Sequence, residues 1–367
     1  MLFIKKPYTY ALFLLCALWS GGVFLLRAES QDSFAPHMPG TEILTGTTQD
    51  YLDKQGKYLY GAKLEYVVFP SQQAHDSDKI LHRHGILYLK PDARGTILVC
   101  HGFSCDKFDI AFIRRVLFAQ YNVMLFDFRA HGVNVAHDDC CTFGKDEALD
   151  VMGAVSYIKQ RADIQNLPLI GYGFSMGAVA AIQAQATDSS LFDALVLDCP
   201  YDKSENVIKR SLEHLNFTVF GYTFEMPGKQ LLEKFAFNTY VQSVLKFLLK
   251  IVARLDATAT RTFMYPLSPV DSIKKIDIPC FFIHCKHDEK VPVQAAKALY
   301  ANAGGYKRLW LTDGRRHFDS IFYNPEKYIY KVNKFIDHVL NQELAQRVQS
   351  KVYIDNRNKR RRYEAYL

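Results

Sequence analysis

From about residue 60 onward the chain alternates short apolar runs with longer segments whose apolar residues recur at helical spacing. The runs Thr96–Cys100, Tyr121–Phe126, Pro168–Tyr172, Ala194–Leu197, Cys280–His284 and Lys307–Leu311 read as buried strands. Between them, helices are predicted over Ile110–Gln120, Asp146–Arg161, Met176–Gln185 and from Pro325 to about Val348. The second of these carries Val151, Ala154, Val155 and Ile158 on one face. Lys63–Phe69 and Gly85–Lys90 read as an opening antiparallel hairpin joined by a polar loop. Strands alternating with helices predict an α/β domain with a mostly parallel central sheet and helices on both faces. Such sheets place their ligand site at the carboxyl ends of the strands.

The alternation stops between Asp198-Cys199-Pro200-Tyr201 and Ser268-Pro269-Val270-Asp271. Residues 201–267 therefore read as an insertion, helix-like and rich in apolar and aromatic side chains such as Val219, Phe220, Tyr222, Phe224, Phe235, Phe237 and Phe247 to Leu249. A lid packed on the sheet accounts for it, and one face can also line an apolar pocket. The expected organisation is an N-terminal anchor or signal peptide over 1–30, a polar tether over 31–58, the main domain over 59–348 and a basic tail over 349–367.

Lys5 and Lys6 precede an uncharged stretch from Tyr8 to Leu26, which ends at Arg27. A bilayer core takes about 20 residues and a signal peptide has a shorter apolar core of about 7–15, so this segment reads as an anchor or a cleaved leader. The flanking lysines keep the N-terminus on the cytoplasmic side, which puts the main domain outside the cytosol, membrane-anchored or secreted. The net charge of +7 is mild for 367 residues and gathers partly in Lys359-Arg360-Arg361-Arg362, a solvated tail or a contact for anionic headgroups. The body of the chain makes no case for nucleic acid. Eight cysteines show no regular spacing, so neither a disulfide framework nor a metal site is expected, although a zinc cluster around Cys140-Cys141 is conceivable. No cofactor is implied.

The chemistry gathers around Gly173-Phe174-Ser175-Met176-Gly177. This Gly-x-Ser-x-Gly pattern follows an apolar run and precedes an Ala-rich helix, the context of a sharp strand-to-helix turn that exposes a serine hydroxyl. His101-Gly102-Phe103 follows another buried strand. Asp127-Phe128-Arg129-Ala130-His131-Gly132 follows the next, and Thr142-Phe143-Gly144 with Glu147 and Asp150 comes after it. Late in the chain stand Ser268-Pro269-Val270-Asp271-Ser272-Ile273, His287-Asp288-Glu289-Lys290-Val291-Pro292 and Gly314-Arg315-Arg316-His317-Phe318.

Taken in order, these motifs resemble the α/β-hydrolase superfamily, in particular its serine-aminopeptidase and monoglyceride-lipase-like branch. The resemblance covers about residues 60–345, with Ala130 in place of a usual glycine. It implies an α/β-hydrolase fold with a helical lid insertion. It also implies a nucleophile Ser175, a base His317, an acid Asp288, and an oxyanion hole formed by the backbone N–H groups of Phe103 and Met176. A serine hydroxyl needs a base within hydrogen-bond reach, and the base needs an acid to set its tautomer. Asp198, at the end of the strand after the nucleophile helix, is the alternative acid. His101 is expected to shape the oxyanion loop. Asp127, Arg129 and His131 are expected to form a structural network, and Glu147 and Asp150 to serve as scaffold or helix-start residues. The expected activity is cleavage of esters or thioesters with an apolar, lipid-like acyl group. A peptidase of short peptides, with Glu205, Glu213 or Glu225 receiving the amino terminus, and a non-catalytic binding module are the alternatives. Asn216-Phe217-Thr218 is a glycosylation sequon whose use depends on the host.

Overall fold

The computed structural model describes residues 58–341, apart from short interruptions and the stretch 244–261. The predicted N-terminal segment, the tether up to residue 57, the basic tail, and Phe247 to Leu249 lie outside the described residues. No helix among the described residues is long and apolar enough to cross a membrane.

Among the described residues, nine strands form one sheet. They are β1 (Tyr58–Leu59), β2 (Ala62–Gln73), β3 (Asp76–Leu89), β4 (Gly95–Cys100), β5 (Tyr121–Phe126), β6 (Leu169–Phe174), β7 (Ala194–Asp198), β10 (Cys280–Cys285) and β11 (Lys307–Thr312). Their spatial order is β1-β2-β3-β5-β4-β6-β7-β10-β11, antiparallel as far as the β3–β5 pair and parallel from β5 to β11. Strands β4 to β7 and β10 are buried along their whole length, which is why they read as largely apolar runs rather than as alternations.

Helices cover both faces. On one side α1 (Glu147–Gln160) and α2 (Met176–Thr187) bury Val151, Ala154, Val155, Ala180 and Ala181 against Leu98, Met124 and Leu195. On the other, a helix over 325–341 buries Tyr328, Val332, Phe335, Ile336 and Val339 against Ile97, Val123, Ile170 and Ile283. Each large apolar side chain fully buried in these layers contributes about 1.5–3 kcal/mol.

Three expectations are corrected. The opening hairpin is longer than predicted, because most of the polar stretch between its halves is ladder. Its inward positions there include Ser71 and Arg83, whose partners Asp150 and Asp139 come from distant segments. Polar residues on the buried face hid the strand period. The insertion is not wholly helical either. It begins with α3 (Ser204–Glu213), then makes an antiparallel hairpin from β8 (Asn216–Val219) and β9 (Tyr222–Glu225), followed by α4 (Lys229–Phe235). The predicted helix over Ile110–Gln120 is turn at 110–112 and helical at 113–114, with 115–119 outside the described residues.

Candidate active site

Ser175 stands where β6 ends and α2 begins, with φ +50° and ψ −114°. A non-glycine residue in this region costs free energy, so the flanks must enforce it. They do so by crowding. A Cβ on Gly177 would meet the Cys100 carbonyl oxygen at 2.2 Å, and one on Gly173 would meet Ala178 Cα at 2.3 Å. Glycine at both positions lets α2 start directly against β4. Ser175 N–H donates to the Asp198 carbonyl at 2.8 Å, which ties the turn to the end of β7.

His317 lies in the turn after β11, and Asp288 in the turn after β10. The structure brings both to Ser175 in one hydrogen-bonded row. Ser175 Oγ is 2.8 Å from His317 Nε2, and His317 Nδ1 is 2.7 Å from Asp288 Oδ2. The other Asp288 oxygen, Oδ1, accepts the backbone N–H groups of Lys290 and Val291, each at 2.9 Å. Burial alone raises the Asp288 carboxyl. The hydrogen bond and charge of His317, with the Val291 N–H, outweigh it and hold the group below the usual carboxylate range. An ionised Asp288 fixes the proton of a neutral His317 on Nδ1, leaving Nε2 free to accept from Ser175.

Asp198 is buried in a different setting. Its Oδ2 accepts the Tyr328 hydroxyl at 2.6 Å, Tyr328 is hydrogen-bonded to Tyr172, and Oδ1 has no partner among the described residues. Burial pushes this carboxyl up to about 7, with Tyr328 only partly offsetting it. The carboxyl hydrogen-bonded to His317 is that of Asp288. Beside it, Cys199 follows Asp198 at φ +47° and brings Sγ within 3.8 Å of His317 Nε2. Nothing in the sequence pattern pointed to Cys199.

Met176 is the first residue of α2, and N–H groups of a first helical turn have no intrahelical acceptor. The Ser175 N–H is already engaged by Asp198, so the free N–H groups at this helix start begin with that of Met176. Opposite, the loop of Phe103 passes close by, since a Cβ on Gly102 would lie 3.7 Å from Ser175 Cβ. His101 holds this loop. Phe128 N–H donates to its Nε2 at 3.0 Å, so the ring proton is on Nδ1 and goes to the Gly102 carbonyl at 2.7 Å. Burial lowers the His101 pKa well below its ordinary value, consistent with a neutral ring.

Of the network expected of Asp127, Arg129 and His131, the last two are linked, with His131 Nδ1–H donating to the Arg129 carbonyl at 2.8 Å, and each residue also holds a further partner. Asp127 accepts from both the backbone and the buried ammonium of Lys107, a partner the sequence did not suggest. Arg129 forks onto Asp150 at 2.9 and 3.0 Å. His131 accepts the Ser104 N–H at 3.2 Å. Glu147 caps the Thr142–Gly144 turn through Thr142 N–H, Thr142 Oγ1 and Gly144 N–H at 2.7–2.9 Å. The described cysteines carry no disulfide, and no group of three or more metal-ligating side chains occurs among the described residues.

A mostly parallel sheet with Ser175 in the turn after β6, Asp288 in the turn after β10 and His317 in the turn after β11 has the α/β-hydrolase fold. Comparison with solved structures agrees on the fold. An esterase of Pyrococcus furiosus, Pf2001, superimposes with a TM-score of 0.56 at 20% identity, covering 81% of this chain and 98% of that one. The peroxisomal α/β-hydrolase Lpx1 of Saccharomyces cerevisiae gives 0.53 at 15% identity over 77% of this chain and 91% of its own. Among curated proteins, the uncharacterized protein YqkD of Bacillus subtilis (strain 168) is 27% identical over 250 residues, 68% of this chain and 73% of that protein. The model of one family, described as serine aminopeptidase, S33, matches residues 91–321, and the chain belongs to that family of hydrolases.

Proposed function

We propose that this protein is a serine hydrolase that cleaves carboxylic esters or thioesters by acyl transfer through Ser175. The observation that carries the proposal is the Ser175–His317–Asp288 row. Ser175 Oγ attacks the acyl carbonyl while its proton passes to His317 Nε2, and Asp288 stabilises the imidazolium. The N–H groups of Met176 and Phe103 hold the oxyanion. One such donor typically supplies about 2.7–4 kcal/mol of transition-state stabilisation. Collapse expels the alcohol or thiol, which takes the proton from His317. Water, activated by the same histidine, then releases the acid.

The rings of Phe103 and Phe143 stack 4.6 Å apart beside the oxyanion loop, each partly exposed, and support an apolar acyl group. A fluorophosphonate probe should label the wild type and spare Ser175→Ala. A folded wild type that takes no label contradicts the proposal. Within it, p-nitrophenyl esters of increasing acyl length should be turned over better from acetyl towards longer chains, and activity confined to acetyl esters would remove the apolar pocket. The family's description favours a second reading, a peptidase of short peptides. Turnover of aminoacyl p-nitroanilides in preference to esters would select it. We also propose that the stretch from Tyr8 to Leu26 holds the enzyme at a membrane or exports it, with the hydrolase domain outside the cytosol. Protease accessibility of the domain in intact cells tests this.

A further inference from the structure

Three separate loops must be held together for the proposed chemistry, and each carries a phenylalanine that the chemistry does not use. Phe174 immediately precedes Ser175, Phe318 immediately follows His317, and Phe112 lies on the segment that continues from the oxyanion loop. The rings of Phe174 and Phe318 meet edge to face, with centroids 4.6 Å apart and planes at 89°. Phe112 touches both, at 6.4 Å from Phe174 and 6.0 Å from Phe318. Phe322 packs behind them, 5.9 Å from Phe318 and 5.5 Å from Phe112.

Phe318 is also held at φ +67°. A bulky side chain in the left-handed region is a true outlier, and such strain persists only where the surroundings over-determine it. Here Arg315 N–H donates to Asp319 Oδ2 at 2.9 Å and Asp319 N–H to the Arg316 carbonyl at 3.2 Å, closing the turn around His317 and Phe318. The turn sends the Phe318 ring to Phe174 while His317 reaches Ser175. The two adjacent pairs therefore run in register, ring against ring and imidazole against hydroxyl.

We propose that Phe112, Phe174 and Phe318 form an aromatic clasp that sets the separation of Ser175 Oγ and His317 Nε2. They act as positioning residues for the proposed acyl transfer, on which this inference rests. An edge-to-face pair contributes up to about tenfold in an equilibrium, and loss of reactive alignment is felt at least as strongly in the rate. Phe318→Leu should lower kcat and the rate of fluorophosphonate labelling together, by roughly threefold to tenfold, with KM unchanged. Phe318→Tyr, which keeps the ring, should restore both. In the double variant with Phe174→Leu the losses should fall short of multiplying, because the two rings act as one unit.

Phe335→Leu is the control. It removes a buried ring that pairs with Phe281 and Tyr306 in the same core layer, and should lower the thermal midpoint while leaving the labelling rate within twofold (about the scatter between independent sites). If Phe318→Leu does not fold, Phe112→Leu is read in its place, with the same expected losses. A clasp variant that loses thermal stability yet labels at the wild-type rate overturns the clasp and leaves the serine hydrolase standing. A folded wild type that takes no label overturns both.

Discussion

Two aspartates at the ends of neighbouring parallel strands, Asp198 on β7 and Asp288 just past β10, have the same side chain, are both buried and are shifted in opposite directions from the ordinary carboxylate range. Asp288 receives two backbone N–H groups and His317, and its carboxyl stays ionised. Asp198 receives one tyrosine hydroxyl, and burial carries its carboxyl up to about 7. Burial is similar in the two cases, so the number and charge of the donors decides. A carboxyl must be ionised to stabilise an imidazolium. On this ground Asp288 is the group suited to act with His317, while Asp198 ties down the Ser175 turn through its backbone carbonyl alone.

The comparison has meaning only if Ser175 is the nucleophile. Ser175→Ala should therefore have the largest effect, a fall in ester turnover of about 10⁴-fold or more. A variant that keeps its activity breaks the comparison at its root.

The pH dependence of unfolding sharpens it next, because the two carboxyls contribute slopes of opposite sign. The folded pKa of Asp198 is raised to about 7 from an unfolded value of about 3.9. Its contribution is therefore full below about pH 4 and is lost as pH rises towards 7. Asp198→Asn should lack this slope and should match or exceed the wild type at pH 8, by up to a few kcal/mol. Asp288 is lowered in the folded state, so its contribution is present above about pH 4 and is lost on further acidification. Asp288→Asn should be destabilised at pH 8 and approach the wild type in acid. Urea unfolding at a series of pH values reads both, and parallel slopes for the two variants would contradict the assignment.

The smallest effect is expected from Tyr328→Phe. It removes the one described donor to the Asp198 carboxyl and should cost about 1–3 kcal/mol of stability while leaving ester turnover within a few-fold. A large loss of turnover would place Tyr328 and Asp198 in the chemistry after all.

Much of this frame was legible in the chain, for identifiable reasons. Most of the parallel strands announced themselves because both of their faces are buried, so most positions are apolar; Tyr121–Phe126 has the predicted bounds to the residue. Ser175, His317 and Asp288 could be picked out together because each stands in a motif of the ordered set that resembles the family, and the structure brings the three into one hydrogen-bonded row. What stayed hidden depends on distant partners. Ser71 and Arg83 look like loop residues until Asp150 and Asp139 arrive from elsewhere. Lys107 looks like a surface lysine until Asp127 draws it into the interior. The choice between the two aspartates was likewise open in the sequence, because it turns on which donors surround each carboxyl. The β8–β9 hairpin was missed because its short strands share an aromatic-rich composition with the helices around them.

The most direct test of the central claim sets Asp288→Asn and Asp198→Asn side by side in one ester-hydrolysis assay at pH 8. Removing the charge that orients a catalytic histidine typically lowers kcat by about 10⁴. Asp288→Asn should show a loss of that order, while Asp198→Asn should stay within about tenfold of the wild type, since an asparagine still offers an oxygen to Tyr328. The reverse ranking, with Asp198→Asn inactive and Asp288→Asn active, would contradict the account.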